Sequence, residues 1–324
     1  MTEERTLPVR AGVDLGGTKI QAAIVGPDGA VLGSARRATP VEGGPGSVAA
    51  AIASAAHDAA RAASVALPAR LGIGTPGSVD VQQGTVSGAR NLSGFDGAVP
   101  LAELVARELE AEVRAPRVVL GNDVGVALDA EARLGAGADL ASFVGVWWGT
   151  GVGGGVVLRG ERWHGRGAAG EIGHVVVSIG GRRCPCGRRG CVEAYAGRRA
   201  LEERARRLAA RGTPTRLFKI AARKNRERLT SGVWARALED GDELAGRLVD
   251  RAVRAIAAGA ASAVNLLDVE GVVVGGGLGT RLGPEYAERI AAAMQPHLFR
   301  AERPPSVRVS HLGDLAGAVG AALL

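Results

Sequence analysis

Three cysteines, the only ones in the chain, fall within eight positions as Cys184, Cys186 and Cys191, and His174 stands ten residues upstream in GEIGHVVV. Zinc takes four such sulfur and nitrogen ligands in a tetrahedron. A closed Cys3His set leaves no open position, which is the pattern of a structural ion and not of a catalytic one. Two other readings exist: small buried apolar residues, or a disulfide with a spare thiol. Cys184 and Cys186 are separated by one residue, which disfavours an unstrained bridge between them, and GGRRCPCGRRGC is glycine, proline and arginine instead of core residues. A ligand cluster therefore fits better. Such an ion would brace the two acids beside it, Glu171 before the histidine and Glu193 after the last cysteine.

Three glycine-rich segments offer a second chemistry. DLGGTK puts Asp14 at the end of an apolar run and follows it with Gly16, Gly17, Thr18 and Lys19, whose backbone N–H groups and hydroxyl can face a phosphate with no Cβ in the way. WGTGVGGG repeats the device at Gly149, Thr150 and Gly151, and VVVGGGLG repeats it at Gly276 and Gly277. One such turn reads more readily as a tight hairpin. Three of them point to phosphate. None ends in the Gly-Lys-Ser/Thr of a P-loop or carries the spaced glycines of a dinucleotide fingerprint.

Asp123 supplies a third signal, at the end of RVVLGND. A carboxylate there can take the proton of a hydroxyl within hydrogen-bond reach, although Asn122 and Asp123 are also good helix caps. Asn91, Asn122, Glu171 and Glu193 add the donors and acceptors that read a polyhydroxylated ligand.

These residues need elements to hold them. VRAGVDL, IQAAIVG and AVLGSARRAT read as three antiparallel strands joined at GGTK and at Pro27-Asp28-Gly29. The alanine-rich run 48–66 reads as a helix, 70–74 and RVVLGND as strands, and 124–134 as the next helix. A strand at 142–148, a glycine turn, the strand GGGVVLRG, a largely helical stretch over 194–263 and the buried strand GVVVGGG complete an α/β pattern. The strand, glycine turn and strand recur at two places, without a clear period of repetition. The length exceeds the usual single core, and 46% hydrophobic residues can build two.

Composition also excludes classes. The chain begins MTEERTLPVR, with no apolar signal core, and has no run of eighteen apolar residues, so a cytoplasmic, soluble protein with no membrane partner is expected. Reduced thiols agree with the cytosol. The net charge of +7 arises mainly between Arg198 and Arg228, where basic residues alternate with alanine and leucine at helical spacing. That region reads as a solvated helical face. Aromatic residues, 3% of the chain, are too few for a nucleic-acid stacking platform, so no nucleic-acid partner is expected, while an acidic polymer such as polyphosphate remains the alternative.

DLGGTK, GTPG at 74–77, NLSGF at 91–95, GND, GTGVGGG, GEIGH and CPCGRRGCVEAYAG resemble the ROK family of sugar kinases, in the same order and over essentially the whole chain. The resemblance is nearest to its zinc-containing bacterial glucokinases. It implies the actin-like ATPase/hexokinase (ribonuclease H-like) fold, with two α/β domains around a cleft: a small domain of 1–122 with 313–324, whose last helix crosses back, and a large domain of 123–312 carrying the zinc segment. It implies ATP with Mg2+ and a structural Zn2+, and a homodimer or homotetramer. Asp123 matches the family's catalytic base. Asn91, Asn122, Glu171, His174 and Glu193 match positions that contact sugar hydroxyls, with His174 also a zinc ligand beside Cys184, Cys186 and Cys191. Asp14 matches the position near magnesium-bound phosphates, and Gly16, Gly17, Thr18, Lys19, Gly149, Thr150, Gly151, Gly276 and Gly277 match the phosphate and adenosine segments.

Glucose is the expected acceptor, phosphorylated at its 6-hydroxyl. N-acetylmannosamine, mannose or fructose as acceptor and polyphosphate as donor are the alternatives, and a non-catalytic sugar-binding regulator is a more distant one. Repressors of the family place a helix-turn-helix domain before the kinase-like fold, for which the residues ahead of DLGGTK leave no room. Two departures stand out: Phe95 where the family commonly has tryptophan, and Leu266 after Asn265 where it often has proline.

Overall fold

The computed structural model describes residues 9–89 and 91–324; the expectation about the extreme N-terminus lies outside them. Two compact units divide the chain, the first made of the residues up to Gly135 together with Asp314–Leu324, the second of Ala136–Gly313.

In the first unit β1 (Arg10–Leu15), β2 (Lys19–Val25) and β3 (Val31–Ala38) form the antiparallel meander. The turn into β3 is set by Asp28, whose Oδ1 accepts the Ala30 N–H at 3.0 Å. α1 spans Gly44–Ala62, four residues ahead of the expected 48–66, because Pro45 is tolerated in a first turn where no amide partner is needed. β4 (Arg70–Thr75) follows, then the small hairpin of β5 (Ser78–Asp80) and β6 (Thr85–Ser87), α2 (Leu101–Leu109), β7 (Arg117–Asn122) and α3 (Asp123–Leu134). The sheet runs β3-β2-β1-β4-β7, with β1, β4 and β7 parallel. Its strands bury Val13, Ile24, Leu71 and Ile73 against Ile52 and the alanines of α1, whose small side chains bring helix and sheet close.

The helix Ala316–Ala322 is buried along its whole length in this same unit. A Cβ on Gly72 would stand 1.8 Å from Ala321 O, and one on Gly320 would stand 1.8 Å from Val126 O, so the helix lies flat on β4 and α3 only because both positions lack a side chain. α3 thus belongs with the first unit. The boundary expected between 122 and 123 falls instead after Gly135, because α3 packs on this terminal helix.

In the second unit β8 (Ser142–Trp148), β9 (Val152–Leu158) and β10 (Glu161–Arg162) are antiparallel, and β11 (Gly271–Gly275) and β12 (Ser306–Val309) extend the sheet in parallel as β10-β9-β8-β11-β12. Its helices are α4 (Glu193–Ala196), α5 (Arg198–Ala209), α6 (Leu217–Arg223), α7 (Ser231–Glu239), α8 (Glu243–Leu267) and α9 (Gly276–Met294). Trp148, Trp234, Leu248, Ile256 and Val272 share one core. α8 starts at Asp242, whose Oδ1 caps the Ala245 N–H at 2.8 Å, and runs unbroken past Leu266. Both sheets follow one plan, three antiparallel strands and then two parallel ones, with a glycine turn between the first two. The recurrence of strand, turn and strand in the sequence is a repeated architecture. Among the described residues no helix is long and apolar enough to cross a membrane.

Candidate active site

Within each unit some candidates lie at the carboxyl ends of parallel strands, where open α/β sheets bind ligands: Asp14, Asn122 and Asp123 in the first, Gly149 and Gly276 in the second. In the first unit, Asn122 ends β7 and caps α3, its Oδ1 accepting the Gly125 N–H at 3.1 Å. Asp123 is then the first helical residue, its Oδ1 held by the Val124 N–H at 2.9 Å. Asn122 is thus the cap of α3, and Asp123 is not needed for that role. Burial raises the Asp123 carboxyl above its ordinary range despite that bond.

Asp14, at the end of β1, is pushed up to about 7, by burial first and then by the charges of Asp123 and Asp314, against the lowering pull of Lys19. A Cβ on Gly317 would stand 2.6 Å from its Cγ, so the terminal helix leaves room for Asp14 only by lacking a side chain there. Lys19 Nζ lies 3.3 Å from Asp314. Asp314 is a residue that sequence reading passed over, since nothing but a preceding glycine marks it. The turn after β1 is fixed by Thr39, whose hydroxyl donates to Gly16 O at 2.6 Å, and Gly17 packs against Asn91. Asn91 is exposed, whereas Phe95 is buried at 1% exposure in the core of this unit.

In the second unit, β8 and β9 are joined by Gly149, Thr150 and Gly151. Glu193 begins α4 and its Oε2 accepts the Val152 N–H at 2.8 Å. A Cβ on Gly151 would lie 2.3 Å from that oxygen, so glycine is what lets the carboxylate reach the strand. The first amides of α5 close over the same turn, Arg198 N–H donating to Gly149 O and Arg199 N–H to Thr150 O, each at 3.1 Å. Arg198 also donates through Nη2 to Thr150 Oγ1 at 2.7 Å and through Nη1 to Leu229 O at 3.1 Å. Gly276 and Gly277, read from sequence as a turn, open α9 directly after β11, and Gly277 N adjoins Gly149. The second and third glycine segments therefore meet. The basic 198–228 region is not wholly a solvated face: Glu202 is buried within it and accepts from Arg206, Arg228 and the Leu229 N–H.

Metal–sulfur bonds of about 2.3 Å in a tetrahedron set sulfur atoms about 3.8 Å apart. Cys186 Sγ and Cys191 Sγ are 3.8 Å apart, Cys184 Sγ lies 3.8 Å from His174 Nδ1, and the four ligand atoms all fall within 4.8 Å of one another. A disulfide would need about 2 Å, and all three thiols are free. The donor set thus fits a tetrahedral metal. The loop bearing it is held by Val177 N–H to Gly190 O at 2.9 Å and by Arg182 N–H to Tyr195 Oη at 3.0 Å. Glu193 Oε1 approaches Cys184 Sγ at 3.9 Å, which joins the cluster to the glycine turn through one carboxylate. Glu171, in contrast, is exposed at the start of the short turn Ile172–His174. A groove of about 620 Å3 lined by Asn265, Phe299 and Pro304 opens at the opposite ends of β8, β11 and β12 and holds none of these residues.

Two units of one strand plan, with carboxylates and glycine turns at the carboxyl ends of their strands, define a protein of the actin-like ATPase/hexokinase (ribonuclease H-like) fold. The chain belongs to the ROK family, whose model matches residues 10–324. It is 32% identical over 315 residues to a glucokinase of Thermotoga maritima, covering 96% of this chain and 95% of that one. It is 33% identical over 315 residues to an N-acetylmannosamine kinase of Yersinia pseudotuberculosis, covering 96% of each. Among solved structures it is similar to a ROK family glucokinase from Streptomyces griseus in complex with glucose and AMPPNP, with a TM-score of 0.78, 32% identity and coverage of 97% of this chain and 98% of that one.

Proposed function

We propose that the protein is an ATP-dependent hexokinase that phosphorylates the 6-hydroxyl of glucose. The observation that carries this reading is Asp123. It is a half-buried carboxylate at a strand end, steered by the Val124 N–H and raised by burial above its ordinary range, which makes it a stronger base than an exposed aspartate. In this reading Asp123 accepts the hydroxyl proton as the sugar oxygen attacks the γ-phosphorus in line, and the remaining work is positioning and charge neutralisation. Asn91, Asn122, Glu171, His174 and Glu193 read the sugar hydroxyls. With Nδ1 of His174 turned to the cysteine cluster, its Nε2 is left to donate to a hydroxyl.

The glycine turns Gly16–Lys19 and Gly149–Gly151, with Gly276 and Gly277, receive the nucleotide. Asp14 would hold Mg2+ through the phosphates, and its neighbours fit that role, since Asp14, Asp123 and Asp314 face one another electrostatically with only Lys19 in opposition. Mg2+, when bound, supplies the positive charge that phosphoryl transfer develops against. His174, Cys184, Cys186 and Cys191 would hold a structural Zn2+ that fixes Glu193. The cytoplasm and a homodimer or homotetramer accord with this reading.

N-acetylmannosamine as acceptor is the second reading, favoured by the equally similar kinase for that sugar. A coupled assay with ATP and with polyphosphate, across glucose, mannose, fructose, N-acetylglucosamine and N-acetylmannosamine, separates them. The highest kcat/KM is expected for ATP and glucose. Preference for N-acetylmannosamine would move the assignment to the second reading, and absence of turnover with every sugar and both donors would end the kinase reading.

A further inference from the structure

Arg198 is a half-buried cation whose guanidinium no carboxylate among the described residues contacts. Its Nη atoms donate only to neutral oxygens, Thr150 Oγ1 at 2.7 Å and Leu229 O at 3.1 Å, and its Nε–H is buried with no partner among the described residues. Glu202, the carboxylate whose charge reaches it, is already engaged by Arg206 Nη2 at 2.9 Å, Arg228 Nε at 3.1 Å and the Leu229 N–H at 3.1 Å. A guanidinium does not shed its proton to escape burial. A half-buried cation without a counter-charge is costly, and the cost is relieved when an anion arrives. The hydroxyl it contacts belongs to the exposed Thr150, in the middle of the Gly149–Gly151 turn. A hydroxyl has one proton to give. With a lone pair of Thr150 Oγ1 taken by Arg198, that proton is free to be donated to a ligand.

We infer that Arg198 is the cationic member of the anion site at the Gly149–Gly151 turn, a positioning residue that orients the Thr150 hydroxyl as a donor toward a nucleotide phosphate and supplies charge behind it. The inference rests on the reading of this turn as a nucleotide phosphate segment. It goes further in assigning the site a side-chain charge from α5, a helix whose basic residues read from sequence as a solvated face.

The test compares wild type with Arg198→Met, Arg198→Lys and Thr150→Val, each checked for fold by circular dichroism and thermal midpoint. Calorimetry measures affinity for Mg-ATP, for adenosine and for glucose. Arg198→Met is expected to weaken Mg-ATP binding about 10- to 100-fold while adenosine and glucose affinities stay within about twofold, lysine is expected to restore part of the loss, and Arg198→Met in the Thr150→Val background is expected to cost less than it does alone, the hydroxyl's share being already lost and the charge's share remaining. Equal weakening of ATP and adenosine would show that Arg198 merely shapes the loop, and unchanged ATP affinity would show that it carries no ligand charge; either overturns the inference. Thr150→Val keeps the arginine, so an Arg198 variant that fails to fold still leaves a decision: unchanged ATP affinity in Thr150→Val overturns the hydroxyl's role. If the wild-type protein binds glucose but no nucleotide at all, the reading of the turn fails, and the inference with it, a result distinct from a wild type that binds ATP indifferently to Arg198.

Discussion

The two strand-end carboxylates of the first unit differ in how their environments act on them, and each difference is measurable. Replacing Asp123 with alanine removes the proposed base while leaving the other sugar contacts, so kcat should fall about 10²- to 10⁴-fold with glucose affinity by calorimetry changed only a few-fold. Turnover near the wild-type rate would make the base assignment wrong. Asp14 lends itself to a test of stability. Its carboxyl is raised from 3.8 to about 7, so the folded state holds a proton that the unfolded state releases. Its contribution to stability is therefore complete below pH 3.8 and is lost as pH rises toward 7. In Asp14→Asn that loss disappears, and at pH 8 without divalent cations the variant should be more stable than wild type by about 1–3 kcal/mol in denaturant titrations. An unchanged slope of stability against pH would show that Asp14 is not strained. At this scale the sequence was readable where residue type is rare, as with the cysteines and His174, or where spacing is distinctive, as with Gly-Asn-Asp. Arg198 and Asp314 were not, because arginine and aspartate are common on surfaces and their meaning here comes from residues far away in the chain, Thr150 and Leu229 for the one and Lys19 for the other.

Elements explain why some local signals carried through and others did not. The meander of β1, β2 and β3 and the pair β8 and β9 follow from short apolar runs bounded by turn residues. α9 was hidden, since Gly276, Gly277, Gly279, Gly283 and Pro284 all argue against a helix; the structure accommodates them with a kink at Gly283, where φ is 73°. β12 is short and takes its form from packing, whereas α2 was legible and passed over, since Leu101, Val105 and Leu109 recur at helical spacing and are buried. The cysteine-bearing loop has only turns and two isolated bridges, Val176 with Cys191 and Arg183 with Arg189, so a metal would add to its support. Cys184→Ser or Cys186→Ser, or removal of zinc by chelation, should lower the thermal midpoint and glucose affinity together, because Glu193 ties that loop to the Val152 amide. Metal analysis should return about one zinc per chain. Full glucose affinity in zinc-free protein would separate the ion from the sugar site. In the first unit, Gly320→Ala would drive a methyl against Val126 O and should cost about 1–3 kcal/mol or more, read as a shift of the denaturation midpoint with an unchanged slope.

On the scale of the whole molecule, the sequence pointed to two α/β units and to a return of the chain's last helix, but set the boundary at 122/123, where a strand ends. The true division after Gly135 depends on α3 finding the terminal helix, a contact between residues almost two hundred positions apart that no local pattern encodes. This arrangement has a consequence for synthesis. β1 to α3 leave the ribosome before the second unit, yet the surface that Gly12, Gly72 and Val126 prepare stays uncovered until all of Ala136–Gly313 has been made. The second unit, continuous in the chain, can complete its core while the first still waits. Of the two units, the one translated earlier is therefore finished later, and during that interval the apolar face of β1 and β4 stays exposed.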